Sequence, residues 1–372
     1  MSELPFFSAV PVPVKAPEEK HLTRNRSFQG IPGIAVLPSG RLFAVCYSGG
    51  SWEGRENFVV LFVSDDGGKH WSDVVAVVDP PQEDVRAFDP VLWLSPEKRL
   101  FLFWAQSYSD LLSSQVFDGV GGVWCAELEN PDSSPGNFRW TSPRRIAHGI
   151  MMNKPLVLSD GRWALPCSVW QSYRTRPDGM EPFRGAGLWA SSDHGKSFVF
   201  RGRAVVREGF SCDEHIFWER RDGSLQCLIR TTYGLAESFS RDGGYTWSDP
   251  VPSSIPGPNS RFFLMRLASG SLLLLNHRNE PGKRERNNLA AFLSKDDGRT
   301  WGPGLLLDGR MGVSYPDAVQ AEDGTIYAVY DYQRRHGTIL LARFTEEDVK
   351  AEKLLNKESF LAMTVNAVPQ EP

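Results

Sequence analysis

Hydrophobic positions along the chain come in short paired blocks. An apolar run, a turn marked by Gly, Pro or Asp, and a second apolar run make one unit. The first is Ile31 to Val36, a turn at Pro38-Ser39-Gly40, and Leu42 to Tyr47. The second pairs Asp89 to Trp93 with Leu100 to Trp104, and the third pairs Lys154 to Leu158 with Trp163 to Val169 around Asp160-Gly161. Glu214 to Trp218 with Leu225 to Ile229, Arg261 to Met265 with Leu272 to Leu275, and Tyr315 to Val319 with Ile326 to Tyr330 complete the series. Runs this short, rich in β-branched and aromatic residues and bounded by turn formers, predict hairpins rather than helices. The units recur at roughly 50- to 65-residue intervals, the length of a four-stranded propeller blade.

The pattern predicts an all-β fold, a six-bladed β-propeller over residues 29–344. Residues 1–28, apolar and broken by proline, are expected to form an outer strand that joins the last blade and closes the ring. Over 345–372, Thr345-Glu346-Glu347-Asp348 has the form of a helix start, a Thr cap followed by acids. A short helix to about Leu355 and a loose tail should follow.

A second repeat lies between the hairpins. Ser-x-Asp-x-Gly-x-x-aromatic occurs at Ser64 to Trp71, Ser191 to Phe198, Ser240 to Trp247 and Ser294 to Trp301. A short Asp side chain accepts from backbone N–H groups a few residues on, and Gly supplies positive φ, so each copy is a turn device with no catalytic duty. Each should join the outer two strands of its blade.

Composition narrows the partners. Twelve Trp and 22 Phe beside 34 Gly and 26 Pro favour short strands and tight turns. A net charge of −4 without charged blocks argues against nucleic acid or a membrane surface as partner. Five scattered cysteines, Cys46, Cys125, Cys167, Cys212 and Cys227, suit buried free thiols better than a disulfide framework or a zinc site. The N-terminal residues lack the pattern of a signal peptide, which predicts a cytoplasmic protein.

The four repeats are Asp boxes, and with them nearly the whole chain resembles the sialidase (neuraminidase) family. The resemblance implies a propeller of sialidase type and a glycoside hydrolase that releases a terminal, acidic sugar. It requires no metal and no cofactor, and the partner is a carbohydrate.

In a propeller the residues opening the inner strands gather at one mouth of the central channel. Here they are Gly30, Asp89, Lys154, Glu214, Arg261 and Tyr315. Charged groups gathered there are costly to desolvate unless they pair or bind something. By resemblance, Tyr315 is the nucleophile, Glu214 the base that activates it, and Arg230 and Arg286 hold the substrate carboxylate; Arg284, Arg261, His277 and Asp317 are further candidates. A phenol is a poor nucleophile until a carboxylate takes its proton, but it suits a substrate whose own carboxylate would repel Asp or Glu.

The chain departs from the family at two places. Where sialidases read Arg-Ile-Pro, this sequence reads Gly30-Ile31-Pro32, so the three-arginine carboxylate clamp lacks a member that Lys154 or Arg86 would have to replace. Where the family places its acid/base Asp, the loop after the first hairpin carries Glu53 and Glu56, with Asp89 as a rival for the role. His215 alternates with Glu214 and fits a core histidine. Three other functions stay open: a polysaccharide lyase with His277 or Tyr315 as base, a neutral-sugar hydrolase working through two of Asp89, Glu214 and Asp317, and a non-catalytic glycan-binding propeller stacking sugars on Trp52, Trp104 and Trp170.

Overall fold

A computed structural model describes residues 11–81, 85–108, 121–170, 179–279, 285–334 and 337–369. Six antiparallel sheets follow one another along the chain, each running outward from its first strand. This is the six-bladed β-propeller expected of the sialidase type. The inner strands are Gln29–Val36, Val85–Leu94, the interrupted pair Ile150–Met151 and Leu156–Val157, Phe210–Glu219, Phe263–Arg266 and Val313–Gln320.

Blade packs on blade, so strands are covered on both faces. Phe58–Ser64, the third strand of blade one, is buried at every position, as is the second strand of blade four, Leu225–Thr231. That is why Phe58–Ser64 is apolar from Phe58 to Val63 and shows no alternation. Large aromatics fill the wedges between blades: fully buried Trp163 of blade three meets Trp93 of blade two edge to face, ring centroids 4.7 Å apart.

The Asp boxes are the predicted turns. In blade four, Ser240 Oγ donates to Asp242 Oδ1 at 2.8 Å and accepts from Gly244 N at 2.9 Å, while Thr246 N donates to Asp242 Oδ1 at 2.9 Å. Every box joins the third strand of its blade to the outer strand, on the face opposite the openings of the inner strands. The boxes therefore build the blades and contribute nothing to the mouth.

Both ends of the chain differ from expectation. The N-terminal strand Val14–Lys15 pairs with Ala76–Val78, the outer strand of blade one, not with the last blade. Helix Glu346–Ala351 forms, capped by Thr345 Oγ, which accepts from Asp348 N, but among the described residues a strand, not a loose tail, follows it. Phe360–Ala367 returns as the outer strand of blade six beside Thr338–Phe344. Blade six thus draws its fourth strand from the C-terminal part of the chain, and the N-terminal strand adds a fifth strand to blade one. The seam between blades six and one is instead held by side chains: Arg26 donates to Asn366 Oδ1 at 2.8 Å, and Gln29 Nε2 donates to the Gly337 and Asn366 carbonyls at 2.7 and 3.1 Å.

Candidate active site

Antiparallel blades fix which residues meet at the mouth. The starts of inner strands and the loops from second to third strands share one face of the ring. Three inner strands open with the same device, Ile31-Pro32, Asp89-Pro90 and Tyr315-Pro316. Each residue before proline has positive φ, 53°, 47° and 52°, and strand register slips there. A residue preceding proline ordinarily stays extended, so these bulges are strained. They turn Asp89 and Tyr315 into a cavity of about 570 Å³.

Tyr315, Glu214, Arg230, Arg286, Asp89, Glu53 and Arg86 all line that cavity. At its centre, Arg230 Nη1 donates to Glu214 Oε1 at 2.6 Å and to the Tyr315 hydroxyl at 3.1 Å. Glu214 Oε2 is buried with no hydrogen-bond partner among the described residues. Asn259 fixes two of the arginines: its Oδ1 accepts from Arg230 Nε at 2.6 Å and its carbonyl from Arg286 Nη2 at 3.0 Å. The Arg286 guanidinium stands 5.3 Å from the Tyr315 ring centre.

The carboxylates differ in electrostatics. Burial is the largest influence on Asp89, and the nearby charges of Glu53 and Glu214 add to it; Arg86 opposes them, and the net effect pushes Asp89 up to about 7. Burial also pushes Glu53 up, but the charges of Arg334 and Arg86 outweigh it and hold Glu53 below the usual carboxylate range. Asp89 is therefore poised to carry a proton near neutrality, while Glu53 is held ionised.

Four sequence candidates fall elsewhere. Lys154, Arg261 and Asp317 pair with one another inside the channel, beyond the bulges, and none of them lines the mouth. Lys154 Nζ bonds Asp317 Oδ2, which also accepts from Ile34 N at 2.8 Å, and Arg261 Nη2 lies 3.5 Å from Asp317 Oδ1. Lys154 is engaged by Asp317 at that depth, away from the mouth, so it does not replace the missing arginine. His277 is buried behind the mouth with Nδ1 2.8 Å from the Asn287 carbonyl, and burial brings its pKa down to about 4. His215 is a core histidine on the Gly187 carbonyl, as expected. Arg284 lies outside the described residues. Glu56 is exposed, Trp104 is fully buried, and Cys212 is half-buried on the cavity wall where a buried thiol was expected; Trp52 and Trp170 do line the mouth.

Sequence reasoning missed Arg334, Tyr47 and Asn259. Arg334 follows the second strand of blade six, and its guanidinium lies 4.3 Å from the Tyr315 ring centre. It pairs with Glu53 and, through Nε at 3.2 Å, with Asp331. The signal was available by analogy, since loops after second strands also supply Glu53 and Arg286. Tyr47 lines the cavity with Glu53.

The BNR repeat-like domain family matches residues 40–328. The anhydrosialidase of Macrobdella decora is 27% identical over 164 residues, covering 39% of this chain and 21% of that protein. The matched part is thus a small fraction of the relative's length. The Hadza microbial sialidase Hz136 superposes with a TM-score of 0.66 at 16% identity, over 87% of this chain and 66% of that one. The intramolecular trans-sialidase from Ruminococcus gnavus, in complex with oseltamivir carboxylate, gives 0.61 at 16% identity, over 89% and 97%. At such identities the structural likeness speaks for the fold. The chain belongs to the BNR repeat-like domain family, within the sialidase superfamily.

Proposed function

We propose that this protein is a sialidase-like glycoside hydrolase acting on a terminal sugar that bears a carboxylate. The observation that carries the reading is the contact of one guanidinium, Arg230, with both the Tyr315 phenol and Glu214, beneath Arg286. Glu214 takes the phenolic proton as Tyr315 Oη attacks the anomeric carbon and the glycosidic C–O bond breaks. Asp89 gives its proton to the departing oxygen and then takes one from the water that releases the sugar from Tyr315, while Glu214 returns the phenolic proton. Arg230 and Arg286 hold the sugar's carboxylate by charge-assisted hydrogen bonds.

The rivals have less support. A lyase would use His277 or Tyr315 as base; His277 is buried away from the cavity, and a lyase working through Tyr315 would release an unsaturated uronate instead of a hydrolysed sugar. A two-carboxylate hydrolase is left with Asp89 and Glu214, because the channel cations engage Asp317, and it would give Tyr315 no chemical duty. The deciding experiment is hydrolysis of aryl sialoside, glucuronide, rhamnoside and arabinofuranoside by wild type and Tyr315→Phe. Cleavage of the acidic glycoside, lost in the variant, supports the scheme; cleavage that survives in Tyr315→Phe overturns the tyrosine nucleophile.

A further inference from the structure

The family's first clamp arginine is absent at Gly30, yet its space is not empty. A Cβ placed on Gly30 would meet Arg334 Cδ at 2.4 Å and Cγ at 2.9 Å. A side chain at position 30 and the side chain of Arg334 therefore compete for one volume. Arg334 enters that volume from the last blade, lines the cavity, and lies over the ring of Tyr315, whose hydroxyl accepts from Arg230. Three guanidinium groups thus surround one phenol.

Its partners divide by origin. Asp331, fully buried, holds Nε and is itself fixed by Ser314 Oγ at 2.6 Å. Nη1 is taken by Glu53, a carboxylate on the loop between the second and third strands of blade one. That loop begins with Gly49 and Gly50, both at positive φ, and carries Trp52 at 43% exposure. A carboxylate of the protein thus occupies the cavity-facing edge of Arg334, where a ligand's carboxylate would bind.

We infer that Arg334 is the specificity-determining arginine, moved from blade one to blade six, and that Glu53 is a resident carboxylate an acidic sugar displaces from it. The inference rests on the acidic-sugar reading above and extends it. It makes Glu53 a placeholder and leaves proton transfer to Asp89. It also means that a neutral sugar, with nothing to exchange for Glu53, leaves the Glu53–Arg334 pair in place.

The test uses oseltamivir carboxylate and its ethyl ester, measured by calorimetry on the full chain. Wild type should prefer the carboxylate. Arg334→Ala should lose about 10- to 100-fold in affinity for the carboxylate, the worth of a hydrogen bond to a charged group, with the ester unchanged. Glu53→Gln should bind the carboxylate about 3- to 10-fold more tightly, because the competitor for Arg334 is gone. Gly30→Arg combined with Arg334→Ala should recover the carboxylate preference; if its melting curve shows that it does not fold, the two single variants decide. Retained preference in Arg334→Ala, with loss in Arg230→Ala, would overturn this inference and leave the acidic-sugar reading standing. Weaker binding of the carboxylate by Glu53→Gln would overturn the placeholder role. No preference in wild type would remove the acidic-sugar reading and this inference with it.

Discussion

Asp89→Asn separates catalysis from stability at one atom. Asp89 lies at positive φ, which Asn tolerates well, and the two side chains are nearly the same size, so the bulge should persist. The wild-type carboxyl is raised from 3.8 to about 7 by burial first and by Glu53 and Glu214 second. For an acid raised on folding, the native state holds its proton more tightly than the unfolded state. Its contribution to stability is full below pH 3.8 and is lost as pH rises through about 7. The displacement corresponds to about 4 kcal/mol between those limits. Urea unfolding should therefore show Asp89→Asn more stable than wild type by up to about 4 kcal/mol at pH 8 and no more stable at pH 4. Turnover should fall about 10²- to 10⁴-fold, the usual worth of a general acid, and least for a nitrophenyl leaving group that needs no proton. The alkaline limb of the wild-type profile, near pH 7, should vanish in the variant. In Glu53→Gln that limb should move to lower pH, since a charge that raises Asp89 is gone. Equal stability gains at pH 4 and pH 8, or an alkaline limb that survives in Asp89→Asn, would refute the assignment.

Arg230→Met leaves Glu214 buried without its cation, so it should cost about 3–5 kcal/mol in urea unfolding as well as activity. Gly195→Ala should cost about 2–5 kcal/mol, because Gly195 has φ +79° and its Cβ would meet the Trp163 ring at 2.2 Å. Gly161→Ala, at φ +82° with nothing within 4 Å, should cost only about 1–2 kcal/mol in the same assay. Asp331→Ala removes the acceptor of Ile31 N and Ser314 Oγ and a partner of Arg334, and should lower stability by about 3–5 kcal/mol.

The blades were legible because each repeats two apolar runs and a turn, and four of the six add a Ser-Asp-Gly box whose hydrogen bonds close within a few residues. Tyr315, Glu214 and Arg230 were legible because strand order brings inner-strand openings and second-strand ends to one mouth. What escaped was set by distant parts of the chain. Val14–Lys15 pairs over two residues, too few to show a period. Phe360–Ala367 has strand-forming residues but follows a helix with no hairpin signal. The exchange of Gly30 for Arg334 joins opposite ends of the sequence, and neither residue alone reveals it. Lys154 and Asp317 look like mouth residues one at a time, and only their pairing across the channel takes them out of the site.

The same seam explains how the site is held in shape. Blades one and six share no sheet, so the ring must close through side chains. Two carboxylates of blade six reach the backbone of the first inner strand: Asp331 accepts from Ile31 N at 3.1 Å and Asp317 from Ile34 N at 2.8 Å. These bonds fall on either side of the Ile31-Pro32 bulge, where a β-branched residue at φ 53° costs about 1–3 kcal/mol. Asp331 thus offsets strain in blade one, fixes Ser314 beside Tyr315, and holds Arg334 over the phenol. Closing the ring and assembling the mouth are in this protein the same set of contacts. An arginine supplied by the last blade can replace one lost from the first because that seam brings the two positions into a single volume.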